Sequence, residues 1–245
     1  MRGTRLPHIF MPSPNFGDRL GGGKVNLIIL HYTGMSDAQK ACEWLCNEVS
    51  QVSSHYLVDG AGSIVQMVDE NKRAWHAGVA SWHDEEDVNS TSIGIEIQNP
   101  GHTMGYPAFP LVQMQSVAAL CKDILKRHKT IARNILAHSD VAPGRKIDPG
   151  EKFDWAFLHS QRVGHWVKPE PQSGGSFLQE GDRGDSVLAL QGMLKLYGYG
   201  LDVNGGFDQR TKIVVEAFQR HFRQVRVDGI ADQSTVATLH KLLRD

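Results

Sequence analysis

The chain has 245 residues, 40% of them hydrophobic and 22% charged, with a formal net charge of −1. That length holds one large domain, or a core of about 150–170 residues with a small satellite. Near-neutral charge leaves no electrostatic footprint for nucleic acid, and the clean apolar runs, Leu27 to Leu30 among them, are far short of the ~20 residues that cross a bilayer.

The start, Met1-Arg2-Gly3-Thr4-Arg5, is basic, but Pro7, His8, Pro12 and Pro14 interrupt any apolar signal segment, which reads as a cytoplasmic chain or one processed before this point. Leu27-Ile28-Ile29-Leu30 shows no alternation, as in a strand covered on both faces, and runs into His31. Ser36 and Gln39 form a capping box for a helix over about 37–49. Cys42 and Cys46 fall on one face of that helix; with Cys121 they make an odd number, read as unpaired thiols in a reducing compartment. Ser54 to Val58 and Ile64 to Val68 read as a hairpin joined through Asp59-Gly60-Ala61-Gly62.

Ile93, Ile95 and Ile97 alternate, placing Glu96 on the opposite face of a further strand. Pro110 opens a helix whose apolar face carries Val117, Leu120, Cys121, Ile124, Leu125 and His128. Ile135-Leu136-Ala137 is a short strand ending on His138, and a Pro- and Gly-bearing loop leads on to Asp148. The fold class is α/β: a mixed central sheet flanked by helices.

Residues 167–176, rich in Pro, Gly and Ser, read as a linker between a catalytic region, 1–166, and a second region, 177–245. The second region repeats itself: Asn204-Gly205-Gly206-Phe207-Asp208-Gln209-Arg210-Thr211 matches Asp228-Gly229-Ile230-Ala231-Asp232-Gln233-Ser234-Thr235. Each copy is a glycine turn, a capping acid and an amphipathic helix. With a preceding helix over about 184–197, the expectation is a small all-α, three-helix domain, separable enough that its removal spares cleavage of small substrates.

Buried strands that end on polar residues deliver them to one rim of a sheet, where α/β proteins bind ligands. A catalytic zinc site wants three protein ligands and one open position, and two neutral imidazoles with one carboxylate leave the ion enough positive charge to acidify water. His31, His138 and Asp148 would supply that set.

His31-Tyr32-Thr33, Ser54-His55-Tyr56, Trp75-His76-Ala77-Gly78, Ser92-Ile93-Gly94-Ile95-Glu96 and the run from His138 to Lys146 resemble zinc-dependent N-acetylmuramoyl-L-alanine amidases of the type 2 family. That family is related in fold to phage amidase lysozymes and peptidoglycan-recognition proteins. The resemblance covers about residues 24–158, and residues 177–243 resemble the three-helix peptidoglycan-binding domain of wall hydrolases. It implies one zinc ion per chain on His31, His138 and Asp148, with Glu96 as the acidic catalytic residue and Lys146 near the scissile carbonyl. The implied substrate is peptidoglycan or a muropeptide, cut by a monomer between the lactyl group of N-acetylmuramic acid and L-alanine. Tyr32, His55, His76 and Arg145 are further candidates for substrate contact, Arg145 through its planar fork on a stem-peptide carboxylate. The linker and helical region look most like the envelope branch of the family, which sets the periplasm or outer membrane against the cytoplasm. Two rival readings are a recognition protein that binds without cutting and a zinc peptidase acting within the stem peptide. The filled ligand positions speak against the first, and the lack of a His-Glu-x-x-His run against the second.

Overall fold

The structure is a computed structural model. It describes residues 3–22, 24–172 and 174–245; Met1 and Arg2 of the basic start, Gly23, and Ser173 of the expected linker lie outside the described residues. The strands are β1 (Ile9–Phe10), β2 (Phe16–Asp18), β3 (Leu27–Tyr32), β4 (Tyr56–Val58), β5 (Ile64–Gln66), β6 (Lys72–Ala74), β7 (Ser92–Ile97) and β8 (Ile135–Ala137). The α-helices are α1 (Ala38–Leu45), α2 (Val88–Thr91), α3 (Leu111–His128), α4 (His138–Val141), α5 (Trp155–Ser160), α6 (Asp185–Tyr197), α7 (Gln209–Phe222) and α8 (Gln233–Arg244).

Six strands form one mixed sheet in the order β1-β5-β4-β7-β3-β8, while β2 and β6 pair separately. β4, β7, β3 and β8 run parallel, and β5 is antiparallel to β4, as a hairpin requires. The Asp59 carboxylate closes that hairpin by accepting from the N–H groups of Ala61 and Ser63. α1 begins one residue later than the capping-box reading placed it: Asp37 is the cap, its carboxylate accepting from Lys40 N, and the helix ends at Leu45. Pro110 stands at the cap of α3 rather than in its first turn.

One face of the sheet, with Ile28, Leu30, Ile93, Ile95, Ile97 and Ile135, packs on the Val117, Leu120, Cys121 and Ile124 stripe of α3. The other face carries the alternate residues. There Leu27, Ile29 and Leu136 share a continuous core with Val187, Leu190 and Leu194 of α6 and Val214, Phe218 and Phe222 of α7. The helical region therefore covers the second face of the sheet. The stretch expected as a linker is itself docked, since Glu170 accepts from Ser234 Oγ, donates its N–H to Thr238 Oγ1 and pairs with Lys241.

Within the helical region the repeat is built as the sequence suggests. Asp208 and Asp232 cap α7 and α8, accepting from Thr211 N and Thr235 N at 2.8 Å each. Each turn also closes on a buried glutamine amide. Gln191 takes the N–H groups of Asn204 and Gly205, and Gln219 takes those of Asp228 and Gly229.

Candidate active site

Strand register does most of the positioning. His31 on β3 is the register partner of Glu96 on the parallel neighbour β7, and Leu30 pairs with Ala137 at the end of β8. His138, the next residue, thus lines up beside His31. His138, just past the end of β8, joins His31 and Glu96 in one row along the rim of three adjacent strands, which lie about 4.8 Å apart at the backbone. His31 shares its face with Leu27 and Ile29, the face turned away from α3.

The loop after α4 brings Asp148 back to this row, helped by Ser139 N donating to the Asp148 carbonyl. The Nδ1 atoms of His31 and His138 stand 2.9 Å apart, and Asp148 Oδ2 lies 3.2 and 3.0 Å from them. A tetrahedral ion with bonds of about 2.0–2.2 Å holds its donors roughly 3.3 Å apart. These three side chains are buried and are the one such donor cluster among the described residues.

The far side of each ring decides whether a cation fits. His138 Nε2 faces the Ala77 carbonyl at 3.0 Å, with Arg145 Nη2 farther off at 3.3 Å; donating to the carbonyl, the shorter contact, leaves Nδ1 as a bare lone pair. Ser92 Oγ donates to the Val88 carbonyl at 2.5 Å, so it accepts from His76 Nε2 at 3.1 Å. His76 Nδ1 is then the acceptor for His31 Nε2–H, 3.0 Å away, and His31 Nδ1 is a lone pair as well. Two lone pairs and a carboxylate converge on one point with no proton among them. Such a set is satisfied by a metal cation, its imidazoles oriented from behind. Burial keeps the His31 and His76 rings neutral: it holds His31 down to about 4, with His138 nearby adding to the effect, and His76 well below its ordinary value.

The segment that does this orienting is itself clamped. Asn89 Oδ1 accepts from both His76 N and Ala77 N, at 3.1 and 2.8 Å. Gly94, one residue pair back from Glu96 on the same face of β7, leaves room for the ring: a Cβ there would lie 2.5 Å from His76 Cγ. The Ser92, Gly94 and Asn89 roles were not read from the sequence. A glycine in the middle of a strand is the signal that could have pointed to them, because it marks close approach of another group.

Glu96 completes the row. Its Oε2 is shut off from solvent with no hydrogen-bond partner among the described residues. Burial, reinforced by the Asp148 charge and tempered by Lys146, pushes its carboxyl well above the ordinary range. A carboxyl so placed is able to hold a proton and hand it on. Lys146, on the loop between His138 and Asp148, is half-buried, and its charge acts on both Glu96 and His31.

The remaining candidates lie around this centre. His76 sits behind His31. Tyr32 points to the other face of β3, where its hydroxyl meets His102 Nδ1 at 3.1 Å; His102 in turn meets Glu151. His55 is fully buried, with Nδ1 accepting from Gly94 N and Nε2 against the Lys72 carbonyl. Arg145 lies along the back of His138, its guanidinium donating to the carbonyls of Ala77 and Val79.

Residues 21–151 match the N-acetylmuramoyl-L-alanine amidase family, and residues 183–239 match a peptidoglycan binding domain. The N-acetylmuramoyl-L-alanine amidase AmiD of Escherichia coli (strain K12) is 36% identical over 234 residues, covering 90% of this chain and 83% of its own. The 1,6-anhydro-N-acetylmuramyl-L-alanine amidase AmpD of Citrobacter freundii is 33% identical over 163 residues, covering 60% of this chain and 85% of its own. Among solved structures, the E. coli AmiD complex with the substrate anhydro-N-acetylmuramic acid-L-Ala-D-gamma-Glu-L-Lys superposes with a TM-score of 0.77 at 33% identity, over 92% of this chain and 91% of that one. AmpDh3 of Pseudomonas aeruginosa in complex with anhydromuramic pentapeptide gives 0.74 at 30% identity, over 90% and 92%.

Proposed function

The chain belongs to the N-acetylmuramoyl-L-alanine amidase family, whose members hydrolyse the amide between N-acetylmuramic acid and L-alanine, and on that premise we propose that His31, His138 and Asp148 hold one zinc ion. The observation that carries this reading is the convergence of two imidazole lone pairs and one carboxylate oxygen, each imidazole oriented through its other nitrogen. When bound, the ion supplies Lewis acidity, which acidifies water and polarises a carbonyl.

The chain's own residues do the rest. Glu96, next to His31 in the row, takes the proton of the attacking water and later delivers one to the leaving amine of L-alanine. Its burial serves both halves, since a carboxyl raised above its ordinary range holds a proton more readily than an exposed one. Lys146 places a fixed positive charge beside Glu96, where it favours the negative charge that develops on the carbonyl oxygen. One chain carries all of these groups, so a monomer suffices.

Residues 177–245 act as the polymer-binding domain. A cavity of about 700 Å³ opens between α6 and α8, lined by Phe177, Leu190, Met193, Val236 and His240, and Phe177 is 52% exposed. Such a groove suits the faces of sugar rings and favours action on the wall polymer, in the cell envelope, over soluble fragments in the cytoplasm. No helix among the described residues is long and apolar enough to cross a membrane.

The test is hydrolysis of a muropeptide by metal-stripped protein, followed by mass spectrometry. Activity should vanish on stripping and return with one equivalent of zinc. Full activity in the stripped protein would end the zinc reading. Cell fractionation checks the compartment, and co-sedimentation with insoluble wall material of a Phe177→Ala variant checks the groove.

A further inference from the structure

Asp140 lies two residues beyond the ligand His138, in the last turn before the loop that carries Lys146 and Asp148. Its side chain is 0% exposed. One oxygen, Oδ2, reaches back to accept from Ala137 N at 2.8 Å, which pins the turn that presents His138. The carboxylate's other two partners come from the helical region. Tyr199, just past α6, donates its hydroxyl to Oδ1 at 2.7 Å, and His221 of α7 donates from Nδ1 to Oδ2 at 2.6 Å.

The same helix holds the loop further along. Arg210 donates to the Pro143 carbonyl, and Ile213 fills the space over Gly144, where a Cβ would stand 2.8 Å from its Cγ2. His221 is fixed in turn by stacking on Trp155 of α5, ring centroids 3.6 Å apart. A buried carboxylate demands donors, and here two of the three are supplied from outside the catalytic sheet.

We infer that Tyr199 and His221 are positioning residues for the metal centre: by satisfying Asp140 they fix the turn that aims His138, so the helical region helps to build the zinc site as well as to hold the polymer. The inference rests on the zinc reading above. A partner bonded directly to a ligand is typically worth about 10–100-fold in metal affinity, and Tyr199 and His221, which act one step farther out through Asp140 and the Ala137 N–H, belong at the low end of that range. A role confined to overall stability would lower the melting temperature and leave metal affinity and ligand geometry alone.

The experiment uses the full chain with Tyr199→Phe, His221→Phe and His221→Asn. His221→Phe keeps a flat ring against Trp155 but removes the donor; His221→Asn returns an N–H near the position of Nδ1. Zinc affinity is read by competition with a chromogenic chelator, and site geometry by the visible spectrum of the cobalt-loaded protein. Tyr199→Phe, which deletes one hydroxyl and is the mildest of the three for folding, and His221→Phe should each weaken zinc binding about 10-fold or more and alter the cobalt spectrum. His221→Asn should recover most of both. On a soluble muropeptide with zinc in excess, kcat should fall in the two donor-less variants with KM within about twofold of wild type. Wild-type protein that takes up neither metal would fail the zinc reading itself. Wild type that binds both, with Tyr199→Phe and His221→Phe indistinguishable from it, would overturn this inference alone, as would a His221→Asn variant no better than His221→Phe.

Discussion

Gly94 sets how closely His76 stands behind His31, and it does so by having no side chain. Gly94→Ala would push the His76 ring away from Ser92 and His31. The expected result is a 10–100-fold loss of zinc affinity with the fold retained, measured by chelator competition; unchanged affinity would mean that His31 needs no support from behind. Glu96→Ala should behave in the opposite way, keeping its zinc while kcat drops by about 10²–10⁴. Metal analysis beside muropeptide kinetics separates the two. The central residues were legible in the sequence because strands ending on polar residues announce a rim. The supporting ones were not. Nothing local in Trp75-His76-Ala77 says that its ring will face Ser92, since that contact depends on how one loop crosses a distant strand. Arg145 shows the same limit: nothing in its place on a basic loop says that its guanidinium will donate to the carbonyls of Val79 and Ala77.

At the level of elements, the end of α3 is tied to the sheet through Glu70. Burial raises this carboxyl, but hydrogen bonds from His128, Arg127 and Tyr56 outweigh it and hold the group down to about 2, below its ordinary value of 4.5. A depressed folded-state value stabilises the protein above the unfolded one and stops doing so as pH falls through the folded one. Denaturant titrations should therefore show stability falling between about pH 4.5 and pH 2, and Glu70→Gln should flatten that slope while lowering stability at pH 7. A slope that persists in the variant would assign the acid sensitivity elsewhere. In the helical region, Gln219→Leu should cost about 1–3 kcal/mol in urea unfolding, because Asp228 N, Gly229 N and the Ile230 carbonyl lose their partner. The repeat was visible through its turns and caps, which recur at constant spacing. Its glutamines escaped notice because Gln191 stands 13 residues before its turn and Gln219 only 9, so no fixed period links them.

For the whole molecule, the sheet's second face settles what the parts are to one another. A Pro- and Gly-rich stretch says that the chain between two regions is irregular; it carries no information about the surfaces on either side of it. Leu27, Ile29, Leu136 and Trp82 are buried against residues of α6 and α7 and the segment between them. Residues 1–166 made alone should accordingly lose cooperative unfolding and expose apolar surface, checked by near-ultraviolet circular dichroism and dye binding, rather than persist as a working fragment. A well-folded, active truncation would show that the sheet closes over that face by itself.

The shared core also bears on attempts to redirect such an enzyme. A chimera that grafts a foreign targeting unit at Val167 would strip Ile29 and Leu136 of their cover and leave Asp140 without Tyr199 and His221. Retargeting would have to keep α6 and α7 in place and append the new unit beyond Asp245, or else resurface the bared β3 and β8 with polar side chains and supply the orphaned carboxylate with new donors.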